Sequence, residues 1–213
     1  IECFNDWVIE IKKHNYLHNH TRMWFASIWI FTLGLPWQKG AEFFMSHLLD
    51  GDAASNTLSW RWVAGLQTKG KHYLAQSWNI SKFLNKQYKN VELKENALPL
   101  IDNREYKISP IEIQKSNSRN DYLIVFENDL SVENLKTQDY KKIYFILLNN
   151  EHRSLKLDSK VLNYKKKIMN DQLNKIDNNF ELINENKIEE LLESFKNFDI
   201  VYPSIGENMS FLK

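Results

Sequence analysis

Cysteine is nearly absent from this 213-residue sequence: Cys3 stands alone. One thiol excludes an internal disulfide framework and any four-cysteine zinc or iron–sulfur site. It fits a reducing compartment, so a cytoplasmic location is expected. Beside Phe4 and Trp7, Cys3 itself reads as a buried apolar thiol. An excess of either charge is lacking too: 28 Lys and Arg against 27 Asp and Glu leave +1. On balance of charge alone there is no reason to expect a nucleic-acid or membrane-surface protein. Long hydrophobic runs are missing as well. The apolar run from Trp24 ends at Gly34-Leu35-Pro36, short of the roughly 17 to 25 residues a bilayer span needs. It reads as a buried central helix, and no membrane contact is expected. No signal peptide is visible, and the chain opens on Ile1, so a fragment or processed chain is expected, from which a targeting segment could have been lost.

Chemical signatures are absent in the same way. No Gly-x-Ser-x-Gly elbow occurs, and no glycine-rich phosphate loop follows a predicted strand. Asp50, Asp52 and Asn56 begin like a calcium loop, yet Ser55 stands where glycine must bend the chain and Arg61 where a bidentate glutamate must close it. His14, His18 and His20 cluster locally without a cysteine or acid to complete a zinc set. No metal is expected.

What remains is 43% hydrophobic and 13% aromatic, ample for a packed core. Phe4, Trp7, Val8 and Ile11 at helical spacing predict a helix that stops near His14-Asn15. Pro36 opens another, with Trp37, Ala41, Phe44, Met45 and Leu48 on its buried side. Residues 63–71 read as a loop and 73–88 as a further helix. Lys69, Lys71, Lys82 and Lys86 form a solvated face or a phosphate-contacting rim. From 91 to 119 the pattern weakens into a linker or extended wrap. Then the period changes. Apolar runs at 122–126 and 142–148 predict buried strands, with a helix-length segment from Ser131 between them. A helix over 155–176, a strand at 180–183, a helix over 187–198 and a strand at 199–202 follow. Such alternation predicts a parallel sheet. The fold class is therefore α plus α/β: a helical region over 1–90, a linker over 91–119 and a small parallel-sheet domain over 120–213. The loop 204–208 is placed to line a strand's carboxyl end.

The densest chemistry lies in Leu49-Asp50-Gly51-Asp52-Ala53-Ala54-Ser55-Asn56-Thr57-Leu58-Ser59-Trp60-Arg61-Trp62. Acids flanking a glycine suit a tight turn. Trp60 and Trp62 cannot share one helix face, so each needs its own partner. On the residues alone these tryptophans read as core, with redox-capable aromatics beside polar groups as the functional alternative.

In order and spacing, Leu17-His18-Asn19-His20-Thr21-Arg22-Met23, Leu35-Pro36-Trp37, Asp50-Gly51-Asp52-Ala53-Ala54-Ser55-Asn56 and Trp60-Arg61-Trp62 resemble the C-terminal half of the flavin-binding helical domain of the photolyase/cryptochrome family. The resemblance covers about residues 1–88. It implies FAD held in a helical bundle, with blue light driving electron transfer into a pyrimidine dimer in DNA or along a tryptophan chain. By resemblance, Asn19 faces the flavin and tunes its redox state, Arg22 pairs with Asp50 beside the ring, and Asp52 and Asn56 complete a polar wall. Trp60 is then the proximal electron donor and Trp37 the next, while Met23 and Trp62 touch the flipped-out dimer. The implied activity is that of a deoxyribodipyrimidine photolyase, a carbon–carbon lyase. A blue-light photoreceptor without repair, or a fragment that binds no flavin alone, stands beside it.

Departures from the family pattern sharpen the expectation. Its earlier flavin-binding part, with the Ser/Thr-rich phosphate loop, is absent, so the missing N-terminal half of the domain is an expected partner. After Gly65 the chain reads Leu66-Gln67-Thr68-Lys69-Gly70-Lys71, without the Phe-Arg-x-Phe-Asn-Pro run of typical repair enzymes. That favours a divergent bacterial branch. Asn19 following His18 argues against the branch that repairs (6-4) lesions, and one cysteine excludes the iron–sulfur branch.

Overall fold

The computed structural model describes residues 1–84, 88, 91–107, 110, 119–132, 136–175, 180–183 and 187–213. These form two compact units, Ile1–Glu105 and Tyr106–Lys213. The first is helical. Helix α1 (Glu2–His14) buries Cys3, Phe4, Trp7 and Ile11, and burial pushes the Cys3 thiol up to about 11. The helix ends where Asn15 turns left-handed (φ 55°) and returns its N–H to the Ile11 carbonyl. Asn15 is itself buried. Its Nδ2 donates to the His47 carbonyl at 2.8 Å, and its own carbonyl accepts the Leu49 N–H at 3.0 Å. One residue thus fastens the end of α1 to the entrance of the acid-rich turn.

Helix α2 (Asn19–Ser27) continues without a break as a π-helical turn, Ile28–Thr32. Helix α3 (Trp37–His47) starts after Pro36 as its spacing predicts. Helix α4 (Ala53–Ala64) is capped by Asp52, whose Oδ1 accepts the Ser55 N–H at 2.7 Å. It closes at Gly65 (φ 83°), where an added Cβ would lie 2.6 Å from Pro99 Cβ. The helix therefore extends into the stretch expected as a loop, which begins only at Gly65.

The long helix expected over 73–88 is shorter: α5 spans Ser77–Phe83, and 85–87 lie outside the described residues, Lys86 among them. Residues 73–75 are not helical, because they find other partners. Tyr73 N–H bonds the Val63 carbonyl, and Ala75 N–H bonds the buried Ser27 Oγ at 2.8 Å. Residues 91–105, within the stretch expected as a linker, wrap this unit: Ala97 is buried in its core and Leu100 N–H bonds the Ala64 carbonyl at 2.9 Å.

The second unit is built on a parallel sheet in the order β3-β2-β1-β4. Its strands are β1 (Tyr122–Phe126), β2 (Lys142–Ile146), β3 (Phe180–Ile183) and β4 (Asp199–Ile200). Alternate residues face opposite cores. Leu123, Val125, Ile143 and Phe145 meet Met169 and Leu173 of α6 (Ser159–Leu173). On the other face Ile124, Phe126 and Ile146 meet Ile188 of α7 (Ile188–Ser194) and Phe211 of α8 (Glu207–Phe211). The helix expected from Ser131 is not formed by its described residues, which offer one short 3-10 turn, Thr137–Asp139; 133–135 lie outside them. Asp158 caps α6 and delays its start past Leu155; Ile176, its expected end, lies outside the described residues. The loop 204–208 leads into α8, where the Glu207 carboxylate accepts from Ser154 Oγ at 2.7 Å.

Candidate functional site

A cavity of about 530 Å³ opens on the helical unit. Helix α2 supplies Asn19, Arg22 and Met23 to its wall, the turn supplies Asp50 and Asp52, and α4 supplies Asn56, Trp60 and Trp62. These residues are remote in sequence and meet because Asn15 draws the turn beside the start of α2. Trp37 is not in the lining; the Arg61 guanidinium lies over its ring, 5.8 Å from the centroid.

Arg22 is held on three sides. Its Nη1 donates to Asp50 Oδ2 at 3.0 Å, its Nε donates to the Leu17 carbonyl at 2.8 Å, and the guanidinium lies 5.5 Å from the Tyr16 ring centroid. The charge couple is thereby fixed at the rim. Asp52 commits one oxygen to the α4 cap, and Asn56 Nδ2 donates to the Ala41 carbonyl at 2.8 Å, tying α4 to α3. Asn56 thus has a structural bond as well as a place in the wall.

The tryptophans divide as their spacing requires. Trp60 is buried, edge-to-face against Phe44 at 5.1 Å and Trp29 at 6.2 Å. Its ring lies against α3 at Gly40, where a Cβ would come within 2.1 Å of Cη2. Trp60 Nε1 is buried and has no hydrogen-bond acceptor in the protein. Trp62 is 39% exposed and stacks on Tyr73, with centroids 5.9 Å apart and planes at 22°. Burial raises the Tyr73 hydroxyl above its ordinary pKa, with a smaller opposing effect from Trp24.

Ser55, Ser59 and Val63 also line the cavity and escaped the sequence reading. With Asp52, Asn56 and Trp60 they follow the i, i+3, i+4, i+7 spacing of one helix face, a signal that could have found them. Gln67, from the loop beyond Gly65, carries no such signal. The histidines take structural parts: His18 Nδ1 accepts the His20 N–H at the start of α2, and His20 stacks on Trp24 at 4.5 Å. Among the described residues no group of His, Cys, Asp or Glu could hold a metal ion, and no helix is long and apolar enough to cross a membrane.

The volume suits a small-molecule site, for which about 300–1,000 Å³ is usual. An apolar floor of Ala26, Phe44, Leu48, Val63 and Trp60 under a polar rim fits a flat heteroaromatic ring with a hydrogen-bonding edge. One cation and two acids line the cavity, so this wall suits the ring of a flavin better than its diphosphate.

Comparison with known proteins agrees. The family described as the FAD binding domain of DNA photolyase matches residues 7–153, more than half of the chain and beyond the helical unit. The chain is 41% identical over 64 residues to a deoxyribodipyrimidine photo-lyase of Buchnera aphidicola, covering 30% of this chain and 13% of that one. It is 42% identical over 59 residues to the enzyme of that name from Streptomyces griseus, covering 28% and 13%. Against that of Escherichia coli it is 36% identical over 64 residues, covering 30% and 14%. The matched stretch is thus a small part of each relative's length. No solved structure matches. The family match places the chain in a flavin-binding class of protein, with which the helical fold and the cavity are consistent. More narrowly, the chain belongs to the photolyase FAD-binding domain family, and FAD is its cofactor.

Proposed function

We propose that this chain supplies one wall of the FAD site in an enzyme that uses blue light to repair pyrimidine dimers in DNA. The observation that carries the reading is the single cavity gathering Asn19, Arg22, Met23, Asp50, Asp52, Asn56, Trp60 and Trp62. Bound FAD, once excited, supplies one-electron chemistry that no protein side chain offers in its ground state. The residues of this chain bind and orient. Arg22 and Asp50 bring a fixed charge couple to the ring, and the Asn19 amide and the second oxygen of Asp52 offer hydrogen bonds to its edge. Trp60 closes the apolar floor and would be the oxidisable group that gives an electron to the excited ring. Trp62, braced by Tyr73 at the rim, offers a stacking face to an extruded base, with Met23 beside it.

The test is repair of an oligonucleotide carrying a thymine dimer by the full-length protein, in blue light and in darkness. FAD should co-purify, and dimers should disappear only in light. Trp62→Ala should weaken binding of dimer-containing DNA by about tenfold, since stacking of one base on an aromatic ring contributes roughly 1–3 kcal/mol. Protein that takes up no flavin, even on reconstitution, overturns the reading. A second reading, a blue-light photoreceptor, is favoured by the loop after Gly65, which lacks the run typical of repair enzymes. It predicts photoreduction of the flavin without loss of dimers.

A further inference from the structure

Helix α4 has 12 residues and is about 18 Å long, and the cavity follows it from end to end. Its two ends differ in chemistry. At the start lie Asp50, Asp52 and Asn56, with Arg22 paired to Asp50; at the finish lie Trp62, Val63 and, beyond the helix, Gln67. The charged end is the one proposed for the flavin.

Gln67 reaches the cavity wall from the loop after Gly65, whose left-handed backbone (φ 83°) ends the helix. Its backbone is anchored. The N–H groups of Leu66 and Gln67 both donate to the Arg61 carbonyl, at 2.8 and 3.2 Å. Its side chain is uncommitted, because the carboxamide is exposed and bonds to no other described residue. A fixed backbone therefore holds an unused donor and acceptor on the wall that the 39% exposed Trp62 also lines.

We propose that Gln67 reads the Watson–Crick edge of the pyrimidine that stacks on Trp62. The inference rests on reading the cavity as the site of a flavin-dependent dimer-repair enzyme. Joining two pyrimidines through C5 and C6 leaves N3 and its neighbouring substituents intact. A thymine so joined still presents N3–H beside a carbonyl oxygen, and a cytosine presents N3 beside an amino group. The amide donates from Nε2 and accepts at Oε1, so it makes two hydrogen bonds to thymine and, turned end for end, two to cytosine. Either pyrimidine is accepted; a ring with a blocked edge is not. Stacking cannot make that distinction, since every base has a face to offer. Exposed Lys69 and Lys71 follow in the same loop, where contacts to phosphate would add affinity without reading a base.

Binding to the full-length, FAD-loaded protein is measured in darkness, so that no dimer is consumed. Three oligonucleotides are compared: undamaged, carrying a thymine dimer, and carrying the same dimer methylated at both N3 atoms. Wild type should bind the plain dimer about tenfold more tightly than the methylated one, the loss expected when a bidentate base contact is broken. Gln67→Ala should bind the two dimers alike, with flavin content and circular dichroism at wild-type values. Wild type that binds both dimers equally, or a preference that Gln67→Ala retains in full, would overturn the proposal. So would a Gln67→Ala variant that loses affinity for undamaged DNA as much as for the dimer, the mark of a backbone contact. FAD-loaded wild type that binds the dimer no better than undamaged DNA would overturn the repair reading itself, and the edge contact with it.

Discussion

A methyl group at position 40 would lie 2.1 Å from the Trp60 ring, and that ring is hemmed in by Phe25, Phe44 and Trp29. Alanine in place of glycine stabilises an open helix by about 0.5–1 kcal/mol. Overpacking a core costs about 1–3 kcal/mol, and here it wins, because the ring has little room to retreat. Gly40→Ala should therefore lower the midpoint of denaturant unfolding and change Trp60 fluorescence. Arg22 presents the opposite balance. Its partner Asp50 has a side chain 61% exposed, so the pair contributes only about 0–1 kcal/mol to folding. Arg22→Ala should leave the melting temperature of the flavin-free protein nearly unchanged, while the loaded protein loses FAD on gel filtration. A large fall in melting temperature with full flavin retention would contradict the role given to Arg22.

Helix α5 has seven residues, too few to persist on its own propensity. Its N-terminus is held from outside by Glu95 of the wrapping segment, whose carboxylate accepts the Ser77 N–H at 2.6 Å and the Ser77 hydroxyl. Those bonds, the hydroxyl first and the backbone N–H second, hold the Glu95 carboxyl below the usual glutamate range. A carboxyl whose folded pKa is depressed contributes stability above its unfolded value, near 4.3, and that contribution is lost as pH falls through the lower folded value. Amide exchange in 77–83 should accelerate on acidification through that window beyond its intrinsic pH dependence, and Glu95→Gln should flatten the response. The sequence signals an apolar helical pattern in this region but not where it starts. Local periodicity cannot register that Val63 and Ser27 take the N–H groups of Tyr73 and Ala75.

All seven tryptophans precede residue 106, so their fluorescence reports the helical unit, while far-ultraviolet circular dichroism reports both units. In the second unit Arg153 and Glu127 form an ion pair with side chains 3% and 2% exposed, and Arg153 Nε also donates to the Leu148 carbonyl at 2.9 Å. Removing one member of such a pair costs about 3–5 kcal/mol because the other charge stays buried. Arg153→Met should shift the dichroism transition to lower denaturant and leave the tryptophan transition in place. A shift of both would mean that the units unfold together. The separate cores of the two units are the reason to expect the former.

Periodicity and local stops were enough to determine much of this protein from its sequence. The stripe of α1, the break at Gly34-Leu35-Pro36, the need of Trp60 and Trp62 for different partners and the alternation that predicts a parallel sheet are all legible in patterns a few residues long. The family likeness likewise rests on motifs written along the chain, and it named eight residues that share one cavity. Tertiary structure decided the rest. That Asn15 holds the acid-rich turn, that Gly40 makes room for Trp60, and that Trp29 is the indole touching Trp60 while Trp37 lies under Arg61 all depend on how α2, α3 and α4 cross. Crossing geometry is set by which side chains interlock between helices distant in sequence, and no local spacing encodes it.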